Sequence, residues 1–286
     1  MNERIIDTHP HIISKDTVRY PITPIGGVRS HWSAERSVDF SELRKAMLDA
    51  GIAQSVLVHS STTYGFNNDY VADSIADYRK KFAGVFSVNV TQDDATERMR
   101  YWMSRGMSGM RIYVQGTTIA KAWMNIDDPS YDAAWQCAAE LGISVCVNVI
   151  ARDEGIDQLR NVLERYPSVP LVIDHTGRPA LEDGPPYNAA NQYWSLAKYK
   201  NFYLKLTPTG MEPSLKGHAS PDSFLKQMVS VFGADHIAWG SNFPSAKGSL
   251  KDIVTSAREL MSTLSVADRR EIFSGTAERL YPSLKG

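Results

Sequence analysis

Cysteine is almost missing from this chain: Cys137 and Cys146 are the only two in 286 residues, and neither belongs to a CxxC pair. A disulfide framework and a cysteine-rich metal knuckle are therefore excluded, and two structural thiols in a reducing compartment are expected. No excess of either charge sign is present, the formal net charge being −1. That balance argues against general affinity for nucleic acid or for an anionic membrane. No run approaches the roughly 20 apolar residues needed to span a bilayer. Met1-Asn2-Glu3-Arg4 leads directly into Ile5-Ile6 without an apolar signal region. A cytoplasmic protein with neither a membrane nor a nucleic-acid partner is expected. The GxGxxG, GxxxxGK[ST] and GxSxG patterns are also missing, so dinucleotide, P-loop and nucleophile-elbow chemistries have no signature here.

What is present is alternation. Short β-rich runs recur at Ile5–Thr8, Ser55–His59, Ala83–Val88, Gly109–Tyr113, Ser144–Val149, Pro170–Asp174, Phe202–Leu206 and His236–Trp239. Most are apolar on successive residues, as expected of parallel strands covered on both faces. Helical patterns lie between them: Ser41–Ala50, Asn68–Lys81, Ala95–Arg105, Ser130–Leu141, Glu154–Tyr166, Ala189–Lys198 and Pro221–Phe232. Leu250–Leu264 and Ala267–Tyr281 close the series. Eight β→α units without a break in composition predict one α/β domain over residues 1–286, a distorted (β/α)8 TIM barrel. The long segment Pro21–Asp39, which carries Arg29, His31 and Trp32, is expected at the barrel mouth, as are Gly116–Asp128 and Pro208–Ser220.

In such a barrel the chemistry sits at the carboxyl ends of the strands. The residues there are His9 and His11, His59, Arg111 and Tyr113, Asn148, His175 and Arg178, Lys205, and Ser241 with Asn242. His9 and His11, at i and i+2, share one face. With His175 they make three imidazoles at one mouth, enough for a Zn²⁺ site with an open position, or for a metal-free cluster that polarises a carbonyl and moves protons. Arg111 and Arg178 could grip a substrate carboxylate, or pair with Asp174, Glu182 or Asp183. Lys205 within an enclosed strand needs a charged partner or a ligand. His59 and Asn148 offer ligation or hydrogen bonds, and Tyr64 and Tyr113 are candidate substrate contacts. Met99, Trp102 and Met103 read as a packed helix face.

Together these pieces resemble the amidohydrolase superfamily, in its amidohydrolase-2 branch of 2-pyrone-4,6-dicarboxylate lactonases and sugar lactonases. The resemblance rests on Ile6-Asp-Thr-His-Pro-His11, Ser55-Val-Leu-Val-His59 with Tyr64-Gly, and Gly109-Met-Arg111. It continues through Ile173-Asp-His-Thr-Gly-Arg-Pro179, Phe202-Tyr-Leu-Lys-Leu206, Trp239-Gly-Ser-Asn-Phe-Pro244 and Gly275-Thr-Ala-Glu-Arg-Leu-Tyr281. It implies a hydrolase of a small carbonyl substrate, a carboxylated lactone above all, working either without metal or with one divalent ion, zinc first. By that resemblance His9, His11, His175, His59 and Asn242 are the catalytic set, with His9, His11 and His175 as the ligands of any metal. Arg111, Arg178, Lys205, Tyr64, Tyr113 and Asn148 would bind an anionic small molecule. A metal-dependent decarboxylase or hydratase of an aromatic or unsaturated acid is the rival reading, and a homo-oligomer is compatible with all of these.

One position departs from the pattern. The eighth strand of the branch ends in an aspartate that activates water, and here Asn242 stands in its place. An amide cannot act as a carboxylate base, although its oxygen accepts hydrogen bonds or ligates. Three explanations remain open at this stage: another base such as His175 or His59, a metal-bound hydroxide, or a base-deficient protein. The last covers both a binding protein and an engineered Asp→Asn variant.

Overall fold

The computed structural model describes residues 3–116 and 118–286. The eight strands are β1 (Ile6–Asp7), β2 (Gln54–Val58), β3 (Phe82–Ser87) and β4 (Gly109–Ile112), then β5 (Ser144–Val147), β6 (Leu171–Ile173), β7 (Phe202–Leu206) and β8 (Ile237–Trp239). They pair in sequence order, every pair parallel. Thr8 closes the circle: its N–H and its hydroxyl both donate to the Trp239 carbonyl, at 3.1 and 2.7 Å. The architecture is the expected (β/α)8 barrel.

Period-2 alternation explains how one strand serves two cores. Ile5, Leu57, Phe86, Met110, Val145, Val147, Leu171, Leu204 and Trp239 face outward and pack under the surrounding helices. Ile6, Val56, Val58, Val85, Cys146, Val172 and Ala238 face inward and fill the lumen with aliphatic side chains. Ala277, Leu280, Tyr281 and Leu284 of the carboxyl-terminal helical segment join that inner cluster and plug the floor. The polar groups are left to the opposite rim.

Several elements end earlier than the sequence pattern suggests. β6 stops at Ile173 because Asp174–Gly177 turn as a 3-10 segment in which His175 and Thr176 have φ of 55° and 54°. Asn68–Lys81 is helical only over Asp69–Ile75, and Ala189–Lys198 breaks into short 3-10 and α turns. The last helix runs from Val266 to Leu280 through a π-helical turn at Glu271–Gly275. Gly240 lets the turn after β8 pass against β1, since a Cβ there would lie 2.6 Å from the Cβ of His9. Among the described residues, no helix is long and apolar enough to cross a membrane.

Candidate active site

A cleft of about 920 Å³ opens at the carboxyl ends of the strands. His11, Arg111, Tyr113, Asn148, His175, Arg178 and Asn242 line it, so seven of the expected site residues meet there. Its charge is lopsided, with Arg29, Arg36, Arg111, Arg152, Arg178 and Lys216 set against Asp174, Glu182 and Glu212.

His9, His11 and His175 do converge. The His9 ring centroid lies 5.0 Å from that of His11 and 4.8 Å from that of His175. All three are held neutral. Burial, with Arg111 next, lowers His11 to about 3. Burial also takes His175 down to about 3, against the pull of Asp174, and pushes His9 well below the ordinary imidazole value. Their outer contacts differ. His11 Nδ1 lies 2.7 Å from the Val58 carbonyl, so it donates there and leaves Nε2 as an acceptor. His175 Nδ1 lies 2.7 Å from Thr207 Oγ1, which already accepts the Gly210 N–H at 3.1 Å. The threonine hydroxyl can donate to Nδ1 or accept from it, and the first arrangement, which uses the hydroxyl's own proton, puts the His175 proton on Nε2. In that tautomer His11 accepts at Nε2 and His175 donates. His9 is fully buried and does not line the cleft, and neither of its ring nitrogens has a hydrogen-bond partner among the described residues.

Beneath the rings, Asp174 is shared. Its Oδ2 accepts from Arg111 Nε at 2.8 Å, while Oδ1 lies 3.1 Å from Lys205 Nζ and 3.4 Å from His9 Nδ1. Burial would raise this carboxyl, but Lys205, then Arg111 and His9, hold it well below the usual range. The same pairing keeps Lys205 an ammonium although burial opposes it. Lys205, expected as a substrate contact, does not line the cleft. Its Nζ ends on Asp174 and, at 3.2 Å, on Cys146 Sγ, and the side chain is fully buried below the rim.

His59 and Tyr64 do not line the cleft either, while Asn148 does. His59 is turned into the wall, with Nε2 donating to the Gly65 carbonyl at 2.8 Å, and it is fully buried. Tyr64 is also buried, its hydroxyl accepting the Ser14 N–H at 2.7 Å. Asn148 reaches the cleft, but its amide pins the chain after β4: Oδ1 accepts the Val114 N–H at 2.7 Å and Nδ2 donates to the Gln115 carbonyl. Asn242, at φ 52°, adopts a left-handed conformation that asparagine tolerates. Its Nδ2 donates to Thr209 Oγ1 at 3.0 Å, leaving Oδ1 as an acceptor for water. Asp174 was legible only as a possible ion-pair partner, and Thr207 and Thr209 carried no signal, since hydroxyls on a loop are common everywhere.

A metal fits this donor set poorly. Among the described residues, no group of three His, Cys, Asp or Glu side chains is disposed to hold an ion. Electrostatics points the same way. The carboxylate beside the imidazoles is already engaged by two cations, so a dication would arrive next to Arg111 and Lys205 without a free anion to meet it. An anion, by contrast, suits the surroundings.

Over residues 6–283 the chain matches the amidohydrolase family model, and it belongs to that family. It is 25% identical over 199 residues to an L-fucono-1,5-lactonase of Burkholderia multivorans (strain ATCC 17616 / 249). That match covers 65% of this chain and 66% of the relative, just under two thirds of the relative's length. In fold it is similar to a protein described as a 2-pyrone-4,6-dicarboxylic acid hydrolase from Pseudomonas putida, with a TM-score of 0.75, 18% identity and full coverage of both chains. It is also similar to an amidohydrolase from Burkholderia multivorans solved with bound zinc, with a TM-score of 0.69, 19% identity, and 98% and 99% of the two chains covered.

Proposed function

We propose that this protein hydrolyses a small lactone that carries a carboxylate, and that it does so without a metal. One observation carries the reading: cations with unused hydrogen-bonding capacity stand beside neutral imidazoles of opposite hydrogen-bonding sense. Arg178 has no side-chain hydrogen bond or ion pair among the described residues, and Arg111 commits Nε to Asp174 while its terminal nitrogens stay available. The substrate carboxylate docks on these two guanidiniums. His175 Nε2–H donates to the lactone carbonyl, and water held by Asn242 Oδ1 gives its proton to His11 Nε2 as it attacks the carbonyl carbon. The ring C–O bond then breaks, and the protonated His11 returns the proton to the departing alkoxide.

The weakness of His11 as a base is answered by the substrate itself. Arg111 is, after burial, the main influence depressing His11. A carboxylate bound to Arg111 offsets that charge and raises the imidazole towards a useful basicity. The lactonase relative and the pyrone-dicarboxylate neighbour support a lactone, and the cationic lining supports an acidic one.

The decisive experiment is His175→Ala on a panel of carboxylated and neutral lactones. Its kcat is expected to fall by about 10²–10⁴, the usual worth of a proton-transfer or carbonyl-polarising group. Full activity in that variant would remove the histidine cluster from the chemistry, and CO₂ among the products would replace hydrolysis with decarboxylation. Arg178→Ala should act on KM for acidic lactones, raising it by about 10- to 100-fold for a lost charge-assisted pair. Neutral lactones should be nearly indifferent to that change. Asn242→Asp should raise kcat by less than about tenfold, because the base is already present. A larger gain would show that the native site lacks one. Activity that survives dialysis against a chelator, with no zinc by elemental analysis, agrees with the metal-free reading; stoichiometric zinc lost together with activity overturns it.

A further inference from the structure

Trp32 stands outside the roles assigned so far, yet it touches the proposed base. Its ring stacks on His11, centroids 5.2 Å apart and planes 28° from parallel. His11 is thus bounded by the Val58 carbonyl at Nδ1, by the edge of His9 at an interplanar angle of 87°, and by the indole face. We propose that Trp32 is the positioning residue of His11, fixing the imidazole plane so that Nε2 is presented to the cleft; this rests on the reading of His11 as the base.

The loop bearing Trp32 is built to hold it still. Thr23 N–H donates to the Thr63 carbonyl at 2.9 Å, and Ser30 N–H to that of Thr62 at 3.2 Å, tying one side of the loop to the segment after β2. Arg36 ties the other side to the segment after β8, through the Pro244 and Ser245 carbonyls at 3.2 and 2.8 Å. Behind the indole lies a small apolar cluster of Ile13, Tyr20 and Tyr64, against which Trp32 packs. A residue latched on two sides and backed by its own cluster can impose an orientation on its neighbour. A hydrogen bond at Nδ1 alone leaves the imidazole free to rock about that bond, and the flat indole removes this freedom.

The test uses Trp32→Phe and Trp32→Leu in the full-length protein, read by NMR of ¹⁵N-histidine-labelled samples with His11→Gln to assign the resonance. In the native protein His11 should appear as one tautomer, protonated at Nδ1, with its ring protons displaced by the indole ring current. Trp32→Phe should preserve the single tautomer and most of kcat. Trp32→Leu should broaden or double the His11 signals and lower kcat on the order of 10- to 100-fold, the effect of a small misplacement of a reacting group. KM on the fastest carboxylated lactone of the panel should then change by less than about threefold. Unchanged His11 signals in Trp32→Leu, equal impairment of both variants, or an effect on KM alone would each overturn the assignment. If the native protein opens no lactone, the reading of the site fails while the NMR comparison still decides the role of Trp32.

Discussion

Acidification from pH 7.5 to 4.5 is expected to strip this fold of much of its stability. His9, His11, His59 and His175 are all buried and all pushed down, to about 3 for His11 and His175 and to about 4 for His59. Burial leads in each case, because the charged imidazolium is the form that loses its hydration. In the unfolded chain the same side chains titrate near 6.5. The sign follows from proton counting. Above about 6.5 both states hold these rings neutral and the full stability is present. Between about 6.5 and the folded values the unfolded state alone takes up protons, so stability drains away as pH falls. Each ring can contribute up to about 1.4 kcal/mol per pH unit. Set against a total of ~5–15 kcal/mol for a typical domain, four such rings can remove a large share of it. Urea denaturation at one-unit pH steps checks this: the midpoint should be level above pH 7 and fall steadily below 6.5. A midpoint that stays level down to pH 4.5 would mean that the histidines carry protons in the folded protein.

Asp174→Asn should destabilise the fold by about 3–5 kcal/mol, the cost of stranding a buried charge by removing its partner. The substitution keeps the shape and removes only the anion. Arg111 and Lys205 would then face each other with side-chain exposures of 6% and 1% and no carboxylate between them. The measurement is again urea denaturation, at pH 7.5. Pairing the change with Lys205→Met is the control, since removing one stranded cation should recover part of the loss. A single variant as stable as the parent would show that water already reaches this group. A double variant no better than the single one would place the cost elsewhere than in the unpaired charge.

Much of this molecule was legible before any coordinates. Each strand carries its own period-2 or all-apolar signature, and the histidines and arginines of interest lie at or shortly after the strand ends, as His175 lies two residues past Ile173. Local pattern is enough to predict the barrel and to place a polar ring at its mouth, because both depend on residues that are neighbours along the chain. Element ends were less legible. β6 stops where Asp174–Gly177 turn with positive φ at His175 and Thr176, and no side-chain pattern announces a turn of that kind.

Other features belong to the closed barrel alone. His59 and Lys205 sit at strand ends as His11 and Arg111 do, yet one points at the Gly65 carbonyl and the other at Asp174, because rotation and depth within the barrel decide which groups reach the cleft. Arg111 meets Asp174 from 63 residues away, His175 meets Thr207 from 32, and Trp32 covers His11 only because its loop is latched to the segments after β2 and β8. Sequence patterning determines the scaffold and the chemistry on offer. Which imidazole accepts, which donates, and which lysine is consumed as a buried counterion are decided by contacts that exist only once β1 and β8 have met.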